Sequence, residues 1–466
     1  MSFVKKISCL ITIVLSALIL QASSYLPPPS VPSSVGPNLI KLETHDRILI
    51  FAPHPDDEIL GCAGIIQKAK AMNIPVHVLF LTLGDSNEWA FLLYRKHPVI
   101  MPGSVERMGE IRHDEAVKAA AVLDIPPEDL TFLGYPDFGT QAIWRSHWGQ
   151  SASYKSILTK VDAVPYPNTF HSGAPYKGEE ILADLENIFR DFKPTKIFVT
   201  HPADHNGDHQ AAYLFTRVAL WDLRKEMNPE ICPFLIHFKN WPRPRGYRPA
   251  EFLRPPGVIA DEIQWRNNFL AGKEIQEKEL ALKAHRTQFV SSASYLNSFV
   301  KRNEMFGDFP VIKLGDRHRV IDISPGARDY VQDVPEYLTD EERLSFIAFE
   351  QRYVGIENGK LVFSIKLSRP LIETAGLSVF VFGYRSDRPF GEMPKIHVKV
   401  GLLKHKILDQ GKILDARSIE IERDERSIKL KIPLDLLGNP ERVLTNAQLY
   451  FGEMPLDLAA WRVLEL

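Results

Sequence analysis

Residues 47–64 read Arg47-Ile48-Leu49-Ile50-Phe51-Ala52-Pro53-His54-Pro55-Asp56-Asp57-Glu58-Ile59-Leu60-Gly61-Cys62-Ala63-Gly64. An uninterrupted apolar run, 48–52, suits a strand buried on both faces. It ends directly in Pro53-His54-Pro55-Asp56-Asp57-Glu58, and a helical pattern follows in which Gly61 and Gly64 allow close packing. The same unit recurs along the chain. Strand-like runs fall at 48–52, 76–82, 130–133, 196–200 and 234–238, with helical patterns near 59–71, 105–123, 179–191 and 211–224. Strand alternating with helix predicts an α/β fold, a Rossmann-like and mainly parallel sheet with helices on both faces. In such sheets ligands bind outside the carboxyl ends of the strands.

Two polar clusters fall there. In the first, His54 and Asp57 are three residues apart across a proline-constrained turn and can converge on one point, and a histidine with a carboxylate suits Zn²⁺. Asp56 lies between them and can face the same cavity without ligating. The second follows the strand at 196–200 and reads His201-Pro202-Ala203-Asp204-His205-Asn206-Gly207-Asp208-His209. The competing reading is structural: Asp56 or Asp57 caps the following helix, and the histidines decorate a surface loop. Two clusters at equivalent places in one sheet favour a shared site.

PHPDDE before a glycine-containing helix, with the later D-H-x-x-D-H cluster, resembles the PIG-L/LmbE-type zinc-dependent N-deacetylases over roughly residues 42–310. The resemblance implies removal of acetyl from N-acetylglucosamine-type sugars. It implies His54, Asp57 and His209 as zinc ligands and Asp56 as general base, with a metal-activated water attacking the amide. Asn206 stands where the family usually has a histidine that stabilises the oxyanion. Asparagine donates a hydrogen bond but carries no charge, so His205 or His201 is a candidate substitute. Asp208 is expected to orient a neighbouring histidine or ligand. Arg112 and Asp137 fall where the family contacts substrate, and Asp85 at a position that is usually acidic.

Outward from these motifs, 137–177 lacks a clear period and is rich in Trp, Tyr, His and Pro. Such a long loop is usually functional. Trp144, Trp148, Tyr166 and Tyr176 are candidates either to line a saccharide groove or to pack the loop on the sheet. A late helical pattern, about 274–300, holds Lys278, His285 and Gln288 in structural roles. After about 316 the texture becomes short alternating strands, with Asn358-Gly359 as a hairpin signal, which predicts an all-β sandwich at 316–466. It resembles family-nine carbohydrate-binding modules, mostly over its last 35 or so residues. Sugar binding, with Tyr384, Phe390 and Tyr450 as a stacking surface, and a purely structural role both fit.

At the start, Lys5 and Lys6 precede an apolar run from Ile7 to Leu20, then Ala22, Ser23 and Ser24. The run is shorter than the roughly 20 residues of a membrane span and fits a signal-peptide core. The expected organisation is a signal peptide at 1–24, a Pro/Ser-rich spacer at 25–41, a deacetylase domain at 42–315 and the sandwich. The protein is then exported, periplasmic or extracellular, and touches a membrane only if the signal stays uncleaved. The whole chain has 466 residues and a net charge of −2, and losing Lys5 and Lys6 with the signal makes it −4. No basic excess exists to meet a nucleic acid. A hydrophobic share of 45% excludes a disordered chain. Of three cysteines, Cys62 and Cys232 follow the signal, paired or free.

The leading expectation is therefore an exported zinc-dependent hydrolase acting on a saccharide or glycoconjugate. The alternatives are a non-catalytic glycan-binding protein on the same scaffold, and an iron site built from two histidines and one carboxylate.

Overall fold

The structure, a computed structural model, describes residues 38–86, 102–315, 320–324, 343, 346–452 and 454–466. The expected signal and most of the spacer lie outside the described residues. Among the described residues, no helix is long and apolar enough to cross a membrane.

The predicted parallel sheet is present. β1 (Ile48–Ala52) is buried along its length and pairs in parallel with β2 (Val76–Thr82) and β4 (Lys196–Thr200). β3 (Leu130–Tyr135) and β5 (Glu230–Phe234) complete the order β3-β2-β1-β4-β5, all parallel. The chain grows from β1 outward to β3, then crosses to the other side of β1. The loops after β1 and β4 therefore diverge, and a crevice opens between them, which is where sheets of this kind bind ligands.

Helices cover both faces. α1 (Asp57–Ala71) and α2 (Pro102–Val122) pack with a later helix, α6 (Gly272–Ala284), while α3 (Thr140–Ser146), α4 (Gly178–Phe192) and α5 (Gly207–Asp222) pack together. Three local expectations are corrected. The last strand is 230–234, not 234–238: the amides of Ile236 and His237 donate to the Asp204 carboxylate instead of continuing a ladder. The long loop contains α3. The late helical pattern is two helices, α6 and α7 (Arg286–Leu296), broken at His285, whose imidazole turns inward to Glu58.

The C-terminal half is two facing, mainly antiparallel sheets. One has the order β16 (Glu420–Arg423), β17 (Ser427–Pro433), β11 (Lys360–Leu367), β10 (Phe349–Glu357) and β9 (Ile321–Asp322). The other runs β15 (Lys412–Ile413), β14 (His405–Asp409), β13 (Lys395–Val400), β12 (Ala375–Tyr384), β18 (Arg442–Phe451), β20 (Arg462–Glu465) and β8 (Ile312–Lys313), with β19 (Met454–Leu458) on β18. β8 precedes the expected junction at 315/316, yet it already pairs in parallel with β20. In the α/β half, β6 (Arg266–Phe269) and β7 (Asn303–Phe306) form a separate two-stranded antiparallel sheet.

The two halves share one core. Trp144 of α3 stacks on Phe390, with ring centroids 5.1 Å apart, and meets Trp461 edge-on. The Trp461 indole donates to Gln210 at 3.0 Å, and the Tyr384 hydroxyl to Asp222 at 2.9 Å. This decides several open readings. Trp144, Trp148, Tyr166 and Tyr176 are buried, as are Tyr384 and Phe390. They pack loop on sheet and half on half, and present no sugar-stacking face, because apolar area of this size is worth more buried than exposed. Cys62 and Cys232 are buried free thiols.

Candidate functional site

Both polar clusters meet in the crevice between β1 and β4. His54 Nδ1 lies 3.2 Å from Asp57 Oδ2 and 3.1 Å from His209 Nε2, and the latter two atoms are 3.1 Å apart. This triangle can hold a metal ion. Bonds of about 2.0–2.1 Å in a tetrahedral site put neighbouring ligand atoms about 3.3 Å apart, close to what is seen.

The surrounding carboxylates assign the tautomers. His209 Nδ1 faces Asp204 Oδ2 at 3.1 Å, so it carries the proton and Nε2 presents a lone pair. His54 Nε2 faces Asp208 Oδ2 at 3.3 Å and Asp137 Oδ1 at 3.0 Å, which leaves a lone pair on Nδ1. Two lone pairs and a carboxylate oxygen thus converge in a buried place. Such a donor set fits a divalent cation. Without a cation, burial opposes charge on both imidazoles, but Asp204 and Asp57 beside His209 and Asp137 beside His54 raise them above the ordinary histidine range, so a bound cation would take the place of those protons. Burial alone would raise the Asp57 carboxyl, but His209 and His54 outweigh it and hold it far below the ordinary range.

Asp56 sits beside this triangle in a left-handed conformation, φ 118°, at the start of α1. A non-glycine residue there is strained, by about 1–3 kcal/mol. Its side chain makes no capping hydrogen bond and lines the pocket, which removes the reading of Asp56 as a helix cap. The backbone is held from three sides. Asp56 N donates to Glu58 Oε2 at 2.9 Å, and Glu58 Oε1 is bound to His285 at 2.8 Å. The Gln288 amide donates to Pro55 O, and Thr82 Oγ1 to Pro53 O at 3.0 Å. Burial, reinforced by the negative charge of Asp57, raises the Asp56 carboxyl to about 8.

Asp208 is saturated. It accepts from Phe138 N at 2.6 Å and from both the amide and hydroxyl of Thr140, so it joins His54 to the start of α3. It orients His54 and does not face the reacting position. Asn206 caps α5 by accepting from Asp208 N at 2.8 Å, and it lines the pocket. His201 is not a substitute donor: it is packed between Trp265 and Phe309, and burial lowers it to about 3. His205 lies outside the reaction pocket, against Phe238.

Arg112 and Asp137 are both buried and both line the pocket. Arg112 Nη1 donates to Gly84 O and Nε to Thr287, while Nη2 has no partner among the described residues. Asp137 Oδ2 accepts from Ser86 N at 2.9 Å, and Oδ1 faces His54 Nε2 at 3.0 Å. A buried donor, Arg112 Nη2, thus stands unsatisfied on this wall, a costly arrangement unless a ligand completes it. Asp85 is bonded to Tyr166 and Ser86, with its carboxyl raised to about 7 by burial and by Asp137.

Sequence reasoning missed Asp204, His237 and Tyr295. Asp204 orients His209, a role expected of Asp208. His237 packs against the His209 ring at 4.7 Å, and its Nδ1 is 3.2 Å from the Tyr295 hydroxyl. The one signal for it was a histidine directly after the apolar run 234–236.

The family model described as PIG-L, GlcNAc-PI de-N-acetylase, matches residues 49–220. A Bacillus subtilis protein described as probable N-acetyl-alpha-D-glucosaminyl L-malate deacetylase 2 is 26% identical over 263 residues, covering 56% of this chain and 90% of its own length. A 1D-myo-inositol 2-acetamido-2-deoxy-alpha-D-glucopyranoside deacetylase 1 from Saccharopolyspora erythraea is 28% identical over 37% of this chain and 53% of its own length. The solved N,N'-diacetylchitobiose deacetylase from Pyrococcus horikoshii shares 18% identity over 56% of this chain and 82% of that one, with a TM-score of 0.35. This chain carries a PIG-L domain over residues 49–220, and both polar clusters lie inside it.

Proposed function

We infer that the chain removes N-acetyl groups from an N-acetylglucosamine-type saccharide or glycoconjugate, with zinc held by His54, Asp57 and His209. The observation that carries this reading is the triangle of three lone-pair atoms beside a buried, uncapped carboxyl. When bound, the ion supplies Lewis-acid chemistry that polarises the acyl carbonyl and acidifies water.

The chain's own residues do the rest. Asp56 takes a proton from water as the acetyl carbon is attacked and returns it to the leaving nitrogen, so an amide and water become an amine and acetate. Its carboxyl is matched to that exchange near neutral pH. Asn206, with Oδ1 committed to the helix cap, keeps its amide N–H as a donor for the developing oxyanion. Arg112 Nη2 supplies a free donor for a sugar hydroxyl, and the Asp137 carboxylate, on the same wall, an acceptor beside its contact with His54. The descriptions of the Bacillus subtilis and Saccharopolyspora erythraea relatives, both of N-acetylated glucosamine derivatives, support this substrate class. The basic and apolar N-terminus supports export to the periplasm or the cell exterior.

The test is acetate release from N-acetylated saccharides with and without a chelator. Asp56→Asn is expected to lower kcat by about 10²–10⁴-fold while stoichiometric zinc is retained. A zinc-loaded wild type that frees no acetate from any such sugar removes the reading.

A further inference from the structure

The reaction pocket has a volume of about 140 Å³. Ligand pockets generally run to about 300–1,000 Å³, so this one admits the reacting group and little more. It does not end at its rim. His237 and Tyr295 line it and also line a second cavity of about 610 Å³, so the two spaces adjoin at that pair.

The second cavity has walls from both halves of the molecule. Phe238, Asn240 and Arg245, in the segment after β5, form one side, and Leu456 and Leu458 of β19 form the other. Arg245 is held over the Tyr295 ring at 4.3 Å, at the junction of the two cavities. The position of β19 is fixed by the shared core, in which Trp461 reaches Gln210 of α5. The lining alternates apolar surface with hydrogen-bonding groups. Pyranose rings match such a surface, because their C–H faces are apolar and their edges carry hydroxyls.

We propose that the substrate is an oligosaccharide chain. Its reacting N-acetylated unit enters the small pocket, and its neighbouring units lie in the 610 Å³ cleft against β19. The sandwich then serves as a wall of the substrate site. This rests on the deacetylase reading and extends it from the reacting unit to the chain that bears it.

The test compares N-acetylglucosamine with its tetramer on the full-length zinc-loaded protein. The expected kcat/KM for the tetramer exceeds that for the monomer by at least tenfold. Leu458→Trp, which fills the cleft, and Arg245→Gln, at the surface near Tyr295, each lower that ratio at least threefold. Titration calorimetry of the Asp56→Asn protein with both sugars gives a second readout, with the tetramer expected to bind at least tenfold more tightly. Acetate release without length preference, or a ratio unmoved by both variants, overturns the cleft and leaves the deacetylase reading standing. Tight tetramer binding sensitive to Leu458→Trp, without acetate release, supports the cleft and removes the deacetylase reading. Absence of both binding and acetate release overturns both.

Discussion

Asp204 and Asp208 are four residues apart, and each holds a different imidazole. Asp204 accepts from His209 and from the amides of Asn206, Ile236 and His237, so one carboxylate fixes a proposed metal ligand and ties the loops after β4 and β5 together. Partners that orient a ligating histidine are typically worth about 10–100-fold in metal affinity. Asp204→Asn is therefore expected to weaken zinc binding by about that factor, measured by competition with a chromophoric chelator. Unchanged affinity would show that ring packing alone orients His209. The proposed ligands were legible, because His54, Asp57 and His209 sit in dense polar clusters at strand ends. Which acid serves which histidine was not legible. Asp204 and Asp208 look alike in sequence, and only the direction of each imidazole nitrogen separates them. His237 was hidden because its segment reads as the end of a strand.

At the scale of elements, the site depends on how closely α1 approaches the sheet. A Cβ on Gly61 would lie 2.2 Å from the Phe234 ring at the end of β5, and one on Gly64 2.8 Å from the Asn268 side chain. Gly61→Ala gains helix propensity, but overpacking of a buried contact typically costs about 1–3 kcal/mol, and the ring is enclosed on all sides. The expected net effect is a loss of about 1–2 kcal/mol in urea unfolding, with a parallel loss of activity as α1 moves Asp56 and Asp57. A variant as stable as wild type would mean that Phe234 yields freely. Sequence reading found the four strands before β5 because uninterrupted apolar runs have few other uses than a doubly covered strand. It misplaced β5 because Glu230 and Ile231 only half bury, while the more apolar 235–236 leave the ladder to serve Asp204. The break between α6 and α7 was illegible for a related reason: the apolar period continues through His285, and the chain bends there only because Glu58 is within reach.

The whole molecule is held by an interface with a lysine inside it. Lys395 of β13 lies over the Phe390 ring at 3.8 Å and donates to Phe390 O at 2.5 Å and Met393 O at 2.8 Å. It thereby shapes the turn that presses Phe390 onto Trp144 and Trp148. Burial opposes its charge and lowers it to about 7 despite Asp409 and Glu179. A neutral amine keeps two N–H donors, enough for both carbonyls. In the unfolded chain the same amine titrates near its ordinary value, about 10.4. Between those two values the unfolded state binds a proton that the folded state does not, so stability from this site rises with pH, by about 1.4 kcal/mol per unit at most. Below about pH 7 both states are protonated and the cost of a buried charge is fully present. Lys395→Met removes the titration. The expected result is that wild type gains stability relative to Lys395→Met as pH rises from 6.5 to 9, read as diverging urea midpoints. Midpoints that stay parallel across that window would mean that the lysine remains charged within the interface, held there by the ring and the two carbonyls.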